Sequence, residues 1–416
     1  MAKINGKTWF IENALPQESV EVRVLEEKRQ YGQGVAQRIL RPSPQRQTPP
    51  CVYFEQCGGC QNQHIPIKLQ RSAKQTALVQ RLSRLQPEPI HFMPLLQGEP
   101  WHYRRRVRLS VLLDSKNRKL NIGLRRKNSQ QIIPIEHCLV LEQPLNDLLP
   151  KLTALFEQWT TPQQLGHIEL VAADNGIAML LRHVKNIGET DRTLLLRFAE
   201  QHQLMLFVQE HDNIEHWYGE QPYYRLGDDI TLQFDIRDFI QINAQLNRQM
   251  IATALDWLEL NQQDHVLDLF CGMGNFTLPL SRKVKSAVGI DIESPCKERP
   301  YLALLEHFAS AEEIDWFQQQ TESQSAFYRI WCLREAVLKS QGVGIAKLSE
   351  VTHQPETLQI ISAHCPRGQL LFTDELPFYL AFFVNQESSI LPQCFVWSEH
   401  ALVLQQMPDS VCYEVN

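Results

Sequence analysis

At 416 residues the chain exceeds one ordinary domain, so about two to four domains are expected. Hydrophobic residues make up 43%, enough for real cores. No run of about 18 uninterrupted apolar residues appears, and the N-terminus lacks the apolar stretch of a signal peptide. A membrane partner is therefore excluded and a cytoplasmic location expected. The net charge of −6 hides an asymmetry: residues 1–130 carry 23 Lys and Arg against 9 Asp and Glu, the remainder 18 against 38. A basic front suggests a polyanionic partner such as RNA.

Residues 1–45 alternate apolar and polar (Thr8-Trp9-Phe10-Ile11, Val20 to Leu25), which predicts a small β-domain. Pro42, Pro44, Pro49 and Pro50 mark a linker. A cysteine cluster follows, then a helix rich in Lys, Arg and Gln over 65–85. From Trp101 to Ile135 strands alternate with basic turns, and mixed helices and strands run on to about 235. A helix is expected over Asn243 to Leu258, and strands over Val266 to Phe270 and Ala287 to Ile292. The tail begins with helices at Tyr301–Phe308, Glu312–Gln320 and Ser325–Ser340. It ends in strands at Leu358–Ser362, Leu370–Phe372, Tyr379–Val384 and Ala401–Leu404. The fold class is multidomain, α+β and α/β.

Ten cysteines in a chain without a signal peptide read as thiols or metal ligands rather than disulfides. Cys51, Cys57 and Cys60 form C-x5-C-G-G-C, and Cys138, with 77 residues between it and Cys60, is the candidate fourth ligand. Four thiolates suit either zinc or an iron–sulfur cluster; three plus one, rather than two close pairs, favours the cluster. The string from Cys51 to His64 resembles the cluster loop of the ribosomal RNA uracil-5-methyltransferases that carry a [4Fe–4S] centre. That resemblance implies one such cluster on Cys51, Cys57, Cys60 and Cys138. It also implies an N-terminal TRAM domain, an RNA-binding barrel of OB type, over 1–45. The opening strand of that barrel is expected to be missing.

Trp101-His-Tyr103 runs into Arg104, Arg105, Arg106 and Arg108, and Leu124 into Arg125, Arg126 and Lys127. Arginine binds phosphate bidentately and stacks on bases, so these six arginines are the expected RNA contacts; a solvated strand face is the plainer alternative. Val266-Leu-Asp-Leu-Phe270-Cys-Gly272-Met-Gly274-Asn275-Phe276 reads as strand, glycine turn and helix, with Asp291 at the end of the next strand placed for ribose hydroxyls. The string resembles motif I of the same family. The resemblance implies S-adenosylmethionine contacts from Gln241, Phe270, Asn275 and Asp291, the last standing where the family usually has Glu. It covers about residues 5–291, with domains at 1–45, 46–235 (cluster and RNA) and 236–290, the opening of a Rossmann-like methyltransferase fold. The family's remaining strands and its nucleophilic cysteine are not recognisable; the context of Cys365 does not match.

The tail brings different chemistry. Asp291 and Glu293 stand on one strand face, and Trp331, Glu335 and Lys339 recur every four residues on a helix. Three carboxylates make an oxygen-rich Mg²⁺ site suited to a pyrophosphate. Gly289-Ile-Asp-Ile-Glu and Trp331-Cys-Leu-Arg-Glu-Ala-Val-Leu-Lys resemble the second half of an Sfp-type 4′-phosphopantetheinyl transferase, over about 287–416. This implies Asp291, Glu293 and Glu335 as Mg²⁺ ligands, Glu335 and Lys339 as catalytic residues, coenzyme A as a cofactor and an acyl carrier protein as a partner. Arg334 replaces a lysine and is expected near a phosphate. The half that completes the coenzyme A site is absent, and 286–416 is itself acidic, with 7 Lys and Arg against 17 Asp and Glu, unsuited to an acidic carrier. The expectation is a monomeric, truncated uracil-5-methyltransferase with methyl transfer lost, fused to a phosphopantetheinyl-transferase half-domain. The rival readings are a Mg²⁺-dependent holo-acyl-carrier-protein synthase and a non-catalytic RNA-binding iron–sulfur remnant.

Overall fold

The computed structural model describes residues 2–85, 90–114, 119–211, 213–227, 230–290, 300–340, 345–363, 367–376, 379–385, 394–398, 401–405 and 408–416. Two units emerge, Met1–Ala172 with Met179–Tyr218, and Ala173–Ala178 with Gly219–Asn416.

The first unit opens with β1 (Ala2–Ile4), β2 (Lys7–Glu12), β3 (Ser19–Glu27) and β4 (Tyr31–Arg41) in one sheet of order β1-β2-β4-β3. Glu18 locks the exit of this sheet: its carboxylate accepts from the Leu15 and Ser43 N–H groups and pairs with Arg46 at 2.5 Å. Helix α1 (Ile67–Leu82) follows. A seven-stranded sheet forms the core, ordered β11-β10-β9-β8-β5-β6-β7. Its strands are β5 (Arg106–Leu113), β6 (Leu120–Arg125), β7 (Ile132–Pro134), β8 (Leu165–Ala173), β9 (Gly176–His183), β10 (Leu204–Glu210) and β11 (Asn213–Tyr218). Two helices accompany it, α2 (Gln143–Phe156) and α3 (Glu189–Gln201). On α2, Leu145, Leu148, Leu149, Leu152, Leu155 and Phe156 recur at helical spacing and are all buried, the apolar stripe such a helix needs.

In the second unit β12 (Tyr223–Arg225) and β13 (Thr231–Gln233) make a hairpin. Helix α4 (Ala244–Trp257) is capped by Asn243, whose side chain accepts from the Leu246 N–H at 2.9 Å. Strands β14 (His265–Leu269) and β15 (Ser286–Ile290) pair in parallel, joined through the short helix α5 (Thr277–Ser281). The strand expected to reach Phe270 ends one residue earlier, because Phe270 itself turns to φ +61°.

Residues 301–416 build their own core. Helices α6 (Tyr301–Leu305), α7 (Ala311–Gln318) and α8 (Ser323–Ser340) accompany a five-stranded sheet. It comprises β16 (Val351–Gln354), β17 (Gln359–Ser362), β18 (Gly368–Thr373), β19 (Leu380–Asn385) and, after the separate pair β20 (Cys394–Ser398) and β21 (Ala401–Gln405), β22 (Val411–Val415). The order is β16-β17-β22-β18-β19. Strands β16, β20 and β22 were not expected from sequence. β22 is central, parallel to β17 and antiparallel to β18, with Tyr413 fully buried. Among the described residues no helix is long and apolar enough to cross a membrane.

Candidate functional site

The cysteine loop is stitched to the basic hairpin between β6 and β7. The Gly58 N–H donates to the Arg125 carbonyl at 3.0 Å, Lys127 N–H to the Gln56 carbonyl at 2.8 Å, and Cys57 and Arg126 form an antiparallel bridge. Lys127 lies 4.3 Å over the Phe54 ring. The loop's own entry is fixed by Gln63, whose Oε1 accepts from the Cys51 N–H at 3.2 Å. Cys138 arrives on a separate turn held by Asn146 of α2: Asn146 Oδ1 accepts from the Cys138 N–H at 2.7 Å, and its Nδ2 donates to the Cys138 and Leu141 carbonyls. Gln63 and Asn146, both buried, carry no motif and were missed in the sequence.

Cys51, Cys57, Cys60 and Cys138 are all free thiols. Burial pushes the Cys57 thiol above its ordinary range, the Gly59 N–H opposes it, and Cys60 and Cys51 raise it further. Cys138 is raised in the same way, by burial first and then, against the Val140 and Leu141 amides, by Cys60 and Cys51. Among the described residues, however, no group of three or more His, Cys, Asp or Glu is placed to hold a metal ion.

The six arginines do not share one fate. On β5, Val107, Leu109 and Val111 point into the core, so the odd positions are inward. Arg105 falls on that parity and is only 2% exposed, which removes it from the expected RNA contacts. Arg106 and Arg108 are on the other face, opposite Val171 and Glu169 of β8. Arg106 already pairs with Glu169 at 2.9 Å and Arg108 lies 3.7 Å from it. Burial would raise the Glu169 carboxyl, but His167, Arg106 and Arg108 hold it down at about 2. Arg104 is half-buried, with its backbone bridged to Leu141. Arg125 and Arg126 are exposed, and Arg126 Nη2 donates to Gln56 Oε1 at 2.7 Å.

The glycine turn has the shape its sequence predicts. Gly272 (φ +53°) and Gly274 (φ +88°) take left-handed backbone, and a side chain at Gly272 would meet nothing within 4 Å, which leaves the mouth of the turn open. Phe270 is 70% exposed and holds an unfavourable φ for an aromatic residue, the kind of strain that gathers at ligand sites. Thr277 Oγ1 donates to Asp268 Oδ2 at 2.6 Å, tying strand to helix. Asn275 and Asn247 of α4 exchange two hydrogen bonds, at 2.8 and 2.9 Å. Gln241 is half-buried just before α4. Phe270, Asn275 and the two glycines are thus on one turn; Asp291 lies outside the described residues.

In the tail, Glu335 is on α8 and buried. Asp291, Glu293 and the Lys339 side chain lie outside the described residues, as does Cys365. Arg334 corrects the expectation of a phosphate contact. It is 1% exposed, and its guanidinium pairs with Glu313 Oε2 at 2.5 Å and donates to the Leu348 and Ile330 carbonyls. Glu313 belongs to the capping box that opens α7. Its other oxygen lies 3.3 Å from His353 Nδ1, and His353 Nε2 is 3.0 Å from the Tyr413 hydroxyl.

The chain belongs to the tRNA (uracil-5-)-methyltransferase family, whose profile matches residues 67–300. A TRAM domain profile matches residues 1–36, and the 4′-phosphopantetheinyl transferase superfamily profile matches 287–400. Among its relatives is the 23S rRNA (uracil(1939)-C(5))-methyltransferase RlmD of Histophilus somni, 64% identical over 299 residues, 72% of this chain and 68% of that protein. RlmD of Haemophilus influenzae is 62% identical over 291 residues, 70% of this chain and 66% of that protein. The chain thus spans about two thirds of these relatives. A tRNA (uracil-54, C5)-methyltransferase structure from Pyrococcus abyssi, with S-adenosyl-L-homocysteine, is similar at TM-score 0.49 and 19% identity over 66% of each chain, too slight a likeness to inform the site.

Proposed function

We propose that this chain is an RNA-binding, iron–sulfur member of the 23S rRNA uracil-C5-methyltransferases, acting as a monomer, in which methyl transfer is lost and a phosphopantetheinyl-transferase-like half-domain occupies the C-terminus. The 64% identity to RlmD over 299 residues carries the reading. The proposed division is 1–45, 46–235, 236–290 and 287–416.

The cysteine spacing fits a [4Fe–4S] cluster: four free thiols, with Cys51 and Cys138 on turns pinned by Gln63 and Asn146. Cys51, Cys57, Cys60 and Cys138 would hold such a cluster through their thiolates. The open glycine turn, with Phe270 and Asn275, fits S-adenosylmethionine, which would supply the methyl group. Uracil C5 becomes nucleophilic only after a thiolate adds at C6, and a base must then take the C5 proton so that the thiolate can leave. By resemblance, both groups come from the part of the family fold that follows 290. Support for the loss also comes from β14, where Leu267 and Leu269 are exposed beside a two-stranded sheet. The test is anaerobic purification followed by incubation with a 23S rRNA fragment and tritiated S-adenosylmethionine. About four irons per chain and no labelled 5-methyluridine above a no-enzyme control are expected. A colourless zinc protein would remove the cluster; labelled 5-methyluridine would restore the activity.

The second reading, Mg²⁺-dependent phosphopantetheinyl transfer from coenzyme A to an acyl carrier protein, is favoured by the profile over 287–400. Glu335, with Asp291 and Glu293, would hold the Mg²⁺ and Lys339 the phosphates. Strong transfer to a carrier protein by this chain alone, abolished by Glu335→Ala, would establish it over the first.

A further inference from the structure

Helix α1 is sixteen residues long and buries none of them. This contrasts with α2, which buries seven. An isolated helix of this length is marginal in water, and most protein helices draw their stability from a packed face. The usual terminal aids are missing as well. Its N-cap is Pro66, without a side-chain cap, and its first turn holds no acid. Two tethers fix its beginning: Gln70 Nε2 donates to the Asn62 and Ile65 carbonyls, and Arg71 Nη2 to the Gly98 carbonyl.

Its charge is one-sided. Over residues 67–85 there are five cations, Lys68, Arg71, Lys74, Arg81 and Arg84, and no Asp or Glu. Lys68, Lys74, Arg81 and Arg84 are exposed, and among the described residues none of the four has an ion-pair partner. Spacings of three, such as Lys68–Arg71, Arg71–Lys74 and Arg81–Arg84, put like charges side by side, which costs the free helix stability. Lys74 and Arg81, seven apart, share a face. From Lys68 to Arg81 the row spans about 20 Å at the helical rise of about 1.5 Å per residue, and Arg84 follows two residues beyond the helix end.

We propose that α1 is a phosphate-tracking element that lies along the RNA backbone, engaging it through Lys68, Lys74, Arg81 and Arg84. The inference rests on the RNA reading above and adds a surface to it. A polyanion removes the like-charge repulsion, and the counterions it releases drive binding. RNA suits the helix better than a protein groove does, because the cations are not segregated from the apolar Leu78 and Leu85 into two faces. Arg106 and Arg108 share Glu169, whereas Lys68, Lys74, Arg81 and Arg84 have no carboxylate partner among the described residues. The helix is therefore the freer cationic surface of the first unit.

The test uses the full chain with a 23S rRNA fragment and compares wild type with Lys68→Gln/Lys74→Gln/Arg81→Gln/Arg84→Gln across a salt series. All four sites are exposed, and an unchanged unfolding midpoint and iron content confirm a folded variant. The variant is expected to bind about tenfold or more weakly at low salt, with the slope of log K against log salt flattened by about 2 to 3. Swapping Lys for Arg and Arg for Lys at the same four sites should restore both values. If wild type binds RNA and the variant matches it in affinity and slope, α1 is not the tracking element, while the RNA reading stands. If wild type binds no RNA, both fall. Loss of wild-type pelleting with phosphatidylserine vesicles in the variant, with RNA binding unchanged, would overturn the proposal in favour of a membrane surface.

Discussion

The strand pair β14–β15 and the tail sheet follow one another in sequence and solve the burial of apolar strands in opposite ways. The tail sheet packs α8 on β18 and β19 and encloses Phe327, Leu333, Leu370 and Tyr413, with the Glu313–Arg334 pair inside the same core. Among the described residues β14 pairs with β15 alone, and Leu267 (55%) and Leu269 (52%) stay exposed. Parallel strands ordinarily need cover on both faces, whereas an antiparallel sheet is content with one. The difference separates a segment with a finished core from one that carries a glycine turn beside exposed leucines.

Three measurements bear on that contrast, beginning with the largest effect. Glu313→Ala leaves Arg334 charged, buried and unpaired, so it should cost the tail about 3–5 kcal/mol in chemical denaturation. A loss below about 1 kcal/mol would mean that the pair is wetter than its burial implies.

Acid should also undo the tail selectively. Burial works to raise the Glu313 carboxyl, but His353 and Arg334 hold it below its ordinary 4.5. Burial first, with Arg334 and Arg329 added and Glu313 opposing, holds His353 below 6.5. Both groups bind protons more tightly when unfolded. Their contributions are therefore present above the unfolded values and vanish as pH falls through the lowered folded ones. Tail stability should decline below about pH 6.5 and steepen below about 4.5, as read by Trp316 and Trp331 fluorescence. A tail equally stable at pH 7 and pH 4 would contradict the enclosed network.

The smallest effect is expected in β14. Leu267→Ser should change stability by no more than about 0.5 kcal/mol, because little apolar area is lost. A penalty like that of a core leucine would mean that something covers this strand in solution.

The cysteine loop and the glycine turn were legible because their information is local: close cysteines beside Gly58 and Gly59, and two glycines between a strand and a helix. The helix from Asn243 was legible from its cap. What escaped depends on tertiary partners. Arg104 to Arg108 reads as one cationic run, yet the period of two in β5 sends Arg105 inward and Arg106 outward. Arg334 looks like a phosphate ligand until Glu313, on another helix, is found beside it. β22 begins three residues after Pro408, is only five residues long, too short to show a pattern, and owes its central place to β17 and β18.

Gly289 carries a consequence for sequence tolerance. A methyl group there would stand 2.7 Å from Thr277 Oγ1 and 3.0 Å from Cys271 Sγ, so β15 could not lie against the glycine turn in its present register. Thr277 cannot retreat freely, since its hydroxyl is committed to Asp268 at 2.6 Å. The turn therefore dictates one letter of a strand that begins twelve residues after Gly274 closes it. Gly289 is therefore closed to any side chain for as long as Thr277 stays bonded to Asp268.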